Sequence, residues 1–108
     1  MLRLFWHDHG GKMINVGMYY NVKQGHEAEF EGTFAGVVEK LKGAGVGIKD
    51  AKLYREIGKS EYMIYTEWES LEAFKGFIQS RAFGETVANG KSIIEGRPRH
   101  KVFAEMDE

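Results

Sequence analysis

The residues able to do chemistry are few, and their spacing limits what they can do. The chain has four histidines, at His7, His9, His26 and His100. In an extended segment His7-Asp8-His9 would set both imidazoles on one side, a geometry that can hold a divalent metal. Two ligands next to Gly10-Gly11 do not complete a coordination shell, so the expectation is a flexible tip and no metal. His26 opens a helical pattern, where the positive end of the helix dipole favours a neutral imidazole that could serve as a base. A solvated first-turn histidine accounts for it as well. His100 stands in Arg97-Pro98-Arg99-His100-Lys101, a basic cluster that could grip a carboxylate, an acidic substrate or a partner chain, because arginine forks suit planar anions. Cross-strand pairing with Glu56 or Glu61 is the competing explanation. There is no cysteine, which excludes disulfides, thiolate metal sites, iron–sulfur clusters and thiol nucleophiles and points to the cytoplasm.

These residues must be positioned by a small domain. The 108 residues suffice for one core, and a chain this short buries a modest fraction of its surface, which makes association an expectation. Apolar residues are 43% and charged residues 29%, a globular composition. With 15 basic against 16 acidic side chains the net charge is −1, so no basic excess draws the chain to nucleic acid or anionic lipid. No apolar run reaches the roughly 18 residues that span a bilayer. The expected divisions are an N-terminal extension over residues 1–12, broken off by Gly10-Gly11-Lys12, and a domain over 13–108.

Within that domain Ile14, Val16, Met18, Tyr20 and Val22 alternate with Asn15, Gly17, Tyr19 and Asn21, the period of a half-buried strand. From His26 to Lys42, Phe30, Phe34, Val37, Val38 and Leu41 recur at helical spacing, until Gly43, Gly45 and Gly47 end the helix. Two β-rich runs, about 48–57 and 61–68, surround Gly58-Lys59-Ser60 as a hairpin. Ser70 can cap a helix bearing Leu71, Phe74, Phe77 and Ile78, and Ser80 another bearing Phe83 and Val87 that continues toward Ile93 and Ile94. Gly96-Arg97-Pro98 is expected to stop it, with a last strand over 99–106.

The order strand, helix, two strands, helical pair, strand predicts an α+β, ferredoxin-like split βαβ fold, a four-stranded and mainly antiparallel sheet with helices on one face. Met63, Tyr65 and Trp68 cannot all join Tyr62 and Ile64 on the helix side, so the second face also needs a cover. A homodimer packed through its sheet faces would supply it.

The segment from Glu61 to Phe74, with its Trp-Glu-Ser-Leu-Glu-Ala-Phe stretch, followed by Ser80-Arg81-Ala82-Phe83, resembles the antibiotic biosynthesis monooxygenase (ABM) family. The resemblance runs from about Met13 to Met106 and implies a dimeric α/β barrel. It also implies several uses of one scaffold: cofactor-independent oxidation of aromatic polyketides or quinols, haem degradation, and members with no assigned reaction. For an oxidation of that kind the resemblance points to an apolar cavity with Tyr20 as a hydroxyl donor to an oxyanion. Met18, Tyr65, Phe77, Phe83 and Val87 are then expected to contact a small apolar or aromatic ligand. Arg97, Arg99 and His100 are the expected anion or partner contacts. No cofactor is required, although haem is allowed as a ligand; the alternative expectations are a non-enzymatic protein that binds an apolar metabolite or haem in the same cavity, and a haem-degrading monooxygenase with displaced ligands. The haem-degrading branch carries an Asn on its first strand, a Trp after the hairpin and an iron-ligating His ten positions later. Those places fall at Met18, Phe77 and Val87 here, so none matches, and no histidine lies between Glu27 and Arg99.

Overall fold

The computed structural model describes residues 12–106. The His7-Asp8-His9 group and nearly all of the expected extension lie outside the described residues. Seven elements follow the expected order: β1 (Ile14–Val22), α1 (Glu27–Ala44), β2 (Ile48–Arg55), β3 (Glu61–Trp68), α2 (Leu71–Ile78), α3 (Arg81–Gly90) and β4 (Ile94–Ala104). The strands form one sheet in the order β2-β3-β1-β4, with every neighbouring pair antiparallel. This is the ferredoxin-like α+β arrangement.

The alternation of β1 decides which face is which. Ile14, Val16, Met18 and Val22 are buried toward the helices, and cross-strand partners on the same face are Tyr62, Ile64, Thr66 and Trp68 of β3. Trp68 is the pivot of this layer, fully buried, with Phe74 of α2 edge-on at 5.6 Å and Phe77 stacked at 5.1 Å. Its indole N–H donates to the Thr66 hydroxyl at 2.9 Å, so the one polar atom of a buried ring is satisfied two residues away on the same strand. A second cluster joins Val22, Phe30, Tyr62 and Ile93, and Tyr20 and Ile64 pack against both clusters. Burial together with the Glu31 carboxylate, which accepts the Tyr62 hydroxyl at 2.5 Å, pushes that phenol up to about 12.

Local signals explain the helix ends. α1 carries Glu27 and Glu29 in its first turn, where carboxylates suit the dipole, and ends at Gly45 with φ 66°. Ser70 accepts the Ala73 amide at 3.1 Å and starts α2. Ser80 does two jobs at the break between α2 and α3: it accepts the Phe83 amide at 3.1 Å and donates to the Phe77 carbonyl at 2.6 Å. The helical region is therefore interrupted where expected.

Its far end differs. α3 stops at Gly90 rather than running on to Ile93 and Ile94, and β4 begins at Ile94, five residues before the expected start. Ile93 is a core residue whose carbonyl accepts the Lys23 amide at 2.8 Å, and Ile94 pairs with Val22, so strand pairing captures both. Pro98 is accommodated inside the strand because β4 lies at the sheet edge and its register with β1 shifts there: Glu95 faces Asn21, whereas Arg99 faces Tyr19. Gly96, at φ 71°, opens this bulge.

The face away from the helices carries Tyr19, Met63, Tyr65 and the exposed Phe103 and Tyr54. The Tyr19 ring folds back over Gly17, where a Cβ would come within 2.9 Å of the phenol oxygen, and Arg99 and Lys101 each lie 5.7 Å from the ring centre. Among the described residues no helix is long and apolar enough to cross a membrane.

Candidate functional site

α1 packs over β2 and α2 over β3, and the space they leave above β1 and β4 is a cavity of about 840 Å³. Its floor is Met18, Tyr20, Ile64, Thr66 and Trp68; Phe30, Phe34 and Leu41 of α1 form one wall, and Phe77, Phe83 and Val87 of α2 and α3 the other. The α3–β4 connection and the β4 bulge close the end with Lys91, Ile93, Arg97, Pro98 and His100. Size and lining suit a ligand with a flat apolar body and a few polar anchors.

Tyr20 and His100 are the polar groups best placed for proton chemistry. Both sit on the helix face, since His100 pairs with Met18 and Tyr20 is two residues further along β1. Burial raises the Tyr20 phenol above its ordinary value, so it stays protonated and can donate. Burial lowers the His100 imidazole below 6.5, so at neutral pH it is uncharged and can accept a proton. The Phe83 ring stands edge-on to His100 at 6.3 Å, and His100 itself keeps an exposed edge at the end of the cavity.

The structure gathers most of the expected site residues. Met18, Tyr20, Phe77, Phe83 and Val87 all line the cavity, as do Arg97 and His100. Tyr65 does not: it is on the opposite face, where its hydroxyl accepts from the Asn15 side chain at 2.6 Å, because strand alternation parts it from Ile64 and Thr66. Arg99 is also on that outer face, over Tyr19. Cross-strand pairing of the basic cluster with Glu56 or Glu61 is not formed, because β4 neighbours β1 alone and no ion pair joins them among the described residues, although Arg97 and Arg99 share a cleft with both carboxylates. His26 precedes α1 without capping it and lies 3.1 Å from Glu29. The three positions compared with the haem-degrading branch, Met18, Phe77 and Val87, all line the cavity. Among the described residues no cluster of three or more metal-ligating side chains exists.

Sequence reasoning did not place Thr66, Lys91 or the α1 side chains in the cavity wall. For Thr66 the signal was present in its alternation with Ile64. For Lys91 there was none, because its position depends on where α3 ends.

A ferredoxin-like α+β domain with an apolar cavity between helices and sheet defines the class, and comparison with known proteins narrows it. Residues 13–89 match the family described as antibiotic biosynthesis monooxygenase, and the chain belongs to that family. A protein of Natronomonas pharaonis named "Putative heme-binding protein" is 32% identical over 89 residues, covering 82% of this chain. The matched part is 15% of that relative's length, so the chain corresponds to a small portion of it. Among solved structures, a "putative antibiotic biosynthesis monooxygenase" from Caulobacter crescentus aligns with a TM-score of 0.82 at 22% identity, covering 94% of this chain and 96% of that one. SnoaB, a cofactor-independent oxygenase from Streptomyces nogalater, aligns with a TM-score of 0.76 at 20% identity, covering 90% and 96%. At those identities the structural likeness speaks for the fold.

Proposed function

We propose that the protein takes a small aromatic, a phenol, anthrone or quinol, into the cavity and lets it react with dioxygen without a cofactor. The observation that carries this reading is that Tyr20 and His100 line one largely apolar cavity, with burial shifting the phenol upward and the imidazole downward. His100 accepts the proton of the acidic C–H or O–H, and the Tyr20 hydroxyl donates to the oxyanion that forms. The electron-rich anion then reduces oxygen. A ring CH₂ oxidised to a carbonyl supplies all four electrons, one oxygen atom entering the product and the other leaving as water. A quinol supplies two, giving quinone and hydrogen peroxide.

Oxygen uptake with anthrone and a naphthohydroquinone tests this reading. Uptake should exceed the protein-free rate, and Tyr20→Phe should lower kcat by about 100-fold, the usual effect of removing an oxyanion donor. The rate should rise as pH passes upward through the His100 value, which lies below 6.5, and then level off. Uptake at the protein-free rate for both substrates would refute the proposal.

A second reading has its own support, since His100 presents a neutral imidazole to an apolar cavity and a relative is named as heme-binding. In that case His100 is the residue that would hold the iron, with Phe77 and Phe83 against the ring, and a bound haem would supply oxygen activation. A Soret band on haem titration that disappears in His100→Ala supports it, and no band in the parent protein removes it.

The outer face carries exposed Phe103 and Tyr54 beside Tyr19, Met63 and Tyr65. We propose that a second copy covers it, which sedimentation velocity tests directly: a monomer at micromolar concentration would exclude a stable dimer of this chain.

A further inference from the structure

The charged residues around the cavity are distributed unevenly. Four ionisable side chains other than tyrosine line it: Glu29, Lys91, Arg97 and His100. Glu29 has a partner, the His26 ring at 3.1 Å. Lys91 and Arg97, both exposed, have no carboxylate within 4.0 Å among the described residues; Lys23, Lys40, Lys42 and Lys52 also lack one but do not border the cavity, whereas Lys49, Arg55, Lys59, Lys75 and Arg81 are each paired. Arg99 and Lys101, which also lack a carboxylate, lie against the Tyr19 ring instead.

The backbone accounts for where Arg97 goes. In a regular strand Arg97 and Arg99, two apart, would share a face. The bulge loosens that relation: Gly96, Arg97 and Pro98 are accommodated between the Glu95–Asn21 and Arg99–Tyr19 pairs, and Arg97 borders both the cavity and a smaller cleft that it shares with Arg99, Glu56 and Glu61, whereas Arg99 does not reach the cavity. Bulges are a common means of re-aiming a side chain toward a site. Lys91, just past the end of α3, borders the same cavity. An apolar cavity whose end holds two unpaired cations is suited to a ligand with an aromatic body and an anionic group, and the guanidinium fork fits a carboxylate best.

We propose that the cavity selects aromatic carboxylates, the ring lying among Phe30, Phe77 and Phe83 and the carboxylate meeting Arg97 and Lys91. The proposal rests on the reading of the cavity as an aromatic-binding site and adds the substrate class.

The test compares 9-anthracenecarboxylate with its methyl ester, two probes with one ring system and different charge, by fluorescence titration at pH 7.5 in low and high salt. The acid should bind about tenfold more tightly than the ester at low salt, and the preference should shrink at high salt. Arg97→Gln should abolish the preference and leave the ester within about twofold, and Lys91→Gln should reduce the preference in the same direction. The ester arm also reports that each variant still folds around its cavity. Equal binding of acid and ester to the parent protein overturns the proposal while the aromatic-binding reading stands. A variant that weakens both probes alike points to a structural role for that residue and overturns it too. Failure of both probes to bind would overturn the aromatic-binding reading together with this one.

Discussion

The glycine tract between α1 and β2 gives the most sharply graded prediction, because three substitutions of the same kind should have three different outcomes. Gly43 lies in the last turn of α1 with nothing within 4 Å of an added Cβ, so Gly43→Ala should stabilise by about 0.5–1 kcal/mol through helix propensity alone. Gly45 also has open space around it, but its φ of +66° is left-handed, so Gly45→Ala should cost about 1–2 kcal/mol. Gly47 has φ +97°, and an added Cβ would meet the Ala73 Cβ at 2.8 Å and Glu69 Cγ at 3.0 Å. Two carbons pack at roughly 3.5–4.0 Å, and here the obstacle is the first side-chain atom of a helical residue, which cannot swing away. Gly47 also accepts the Glu69 amide at 2.8 Å, which fixes the backbone on both sides of the contact. Overpacking of this kind adds roughly 1–3 kcal/mol to the conformational cost, so Gly47→Ala should lose about 3 kcal/mol. Urea unfolding at one fixed protein concentration gives the differences, and the largest should appear as a Tm lowered by at least about 10 °C. If Gly47→Ala and Gly45→Ala lie within about 0.5 kcal/mol of each other, the close approach of β2 to α2 is wrong.

Thr66→Val removes the acceptor of the buried Trp68 N–H and should cost about 1–3 kcal/mol in urea unfolding, whereas Thr66→Ser, which keeps the oxygen, should cost clearly less; equal losses would mean that the hydrogen bond is unimportant. The Ser60 hydroxyl, which donates to Glu27, is the largest cause holding that carboxyl below its ordinary 4.5, ahead of local amides and Arg55. The carboxylate form is therefore favoured in the folded state, and its contribution is present above 4.5 and lost as pH falls through the folded value. Ser60→Ala should move the acid-unfolding midpoint to higher pH, and an unchanged midpoint refutes the assignment. Val87→Trp should fill the cavity from α3, where Val87 is 42% exposed, and weaken the anthracene ester more than tenfold without altering the far-UV circular dichroism. Unaltered ester binding would place the aromatic elsewhere.

Much of the architecture was legible because it rests on local periodicities. Ile14, Val16, Met18 and Val22 announce a buried strand face by alternation, and Ser70 and Ser80 announce helix starts by their hydroxyls. The beginning of β4 was less visible. Gly96 and Pro98 read as terminators, and locally they are; only pairing with β1 turns that tripeptide into a bulge inside a longer strand. The same competition separates the candidate residues that line the cavity from those that do not. Tyr65 was grouped with the cavity on the strength of its aromatic ring, yet the rule of two already assigned it to the other face from Ile64 and Thr66. Its hydrogen bond with Asn15 shows the outer face to have specific partners of its own.

Arg97 and His100 were expected as anion or partner contacts and Lys91 was not; how the three come together is what sequence reasoning could not supply. Their types were legible; their company was not. His100 faces inward because it pairs with Met18, a fact of register. Arg97 reaches the cavity as well as the cleft it shares with Arg99 because a bulge suspends alternation for three residues, and Lys91 borders the cavity from the residue that follows α3. Each placement depends on a contact more than 60 residues away in sequence or on the irregular step between α3 and β4. The polar end of the cavity is thus built from the least periodic part of the chain, and its apolar walls from the most periodic. The α3–β4 junction is therefore the part of the cavity lining that can change with least effect on the core, while Phe30, Trp68, Phe74 and Phe77 hold the helices over the sheet.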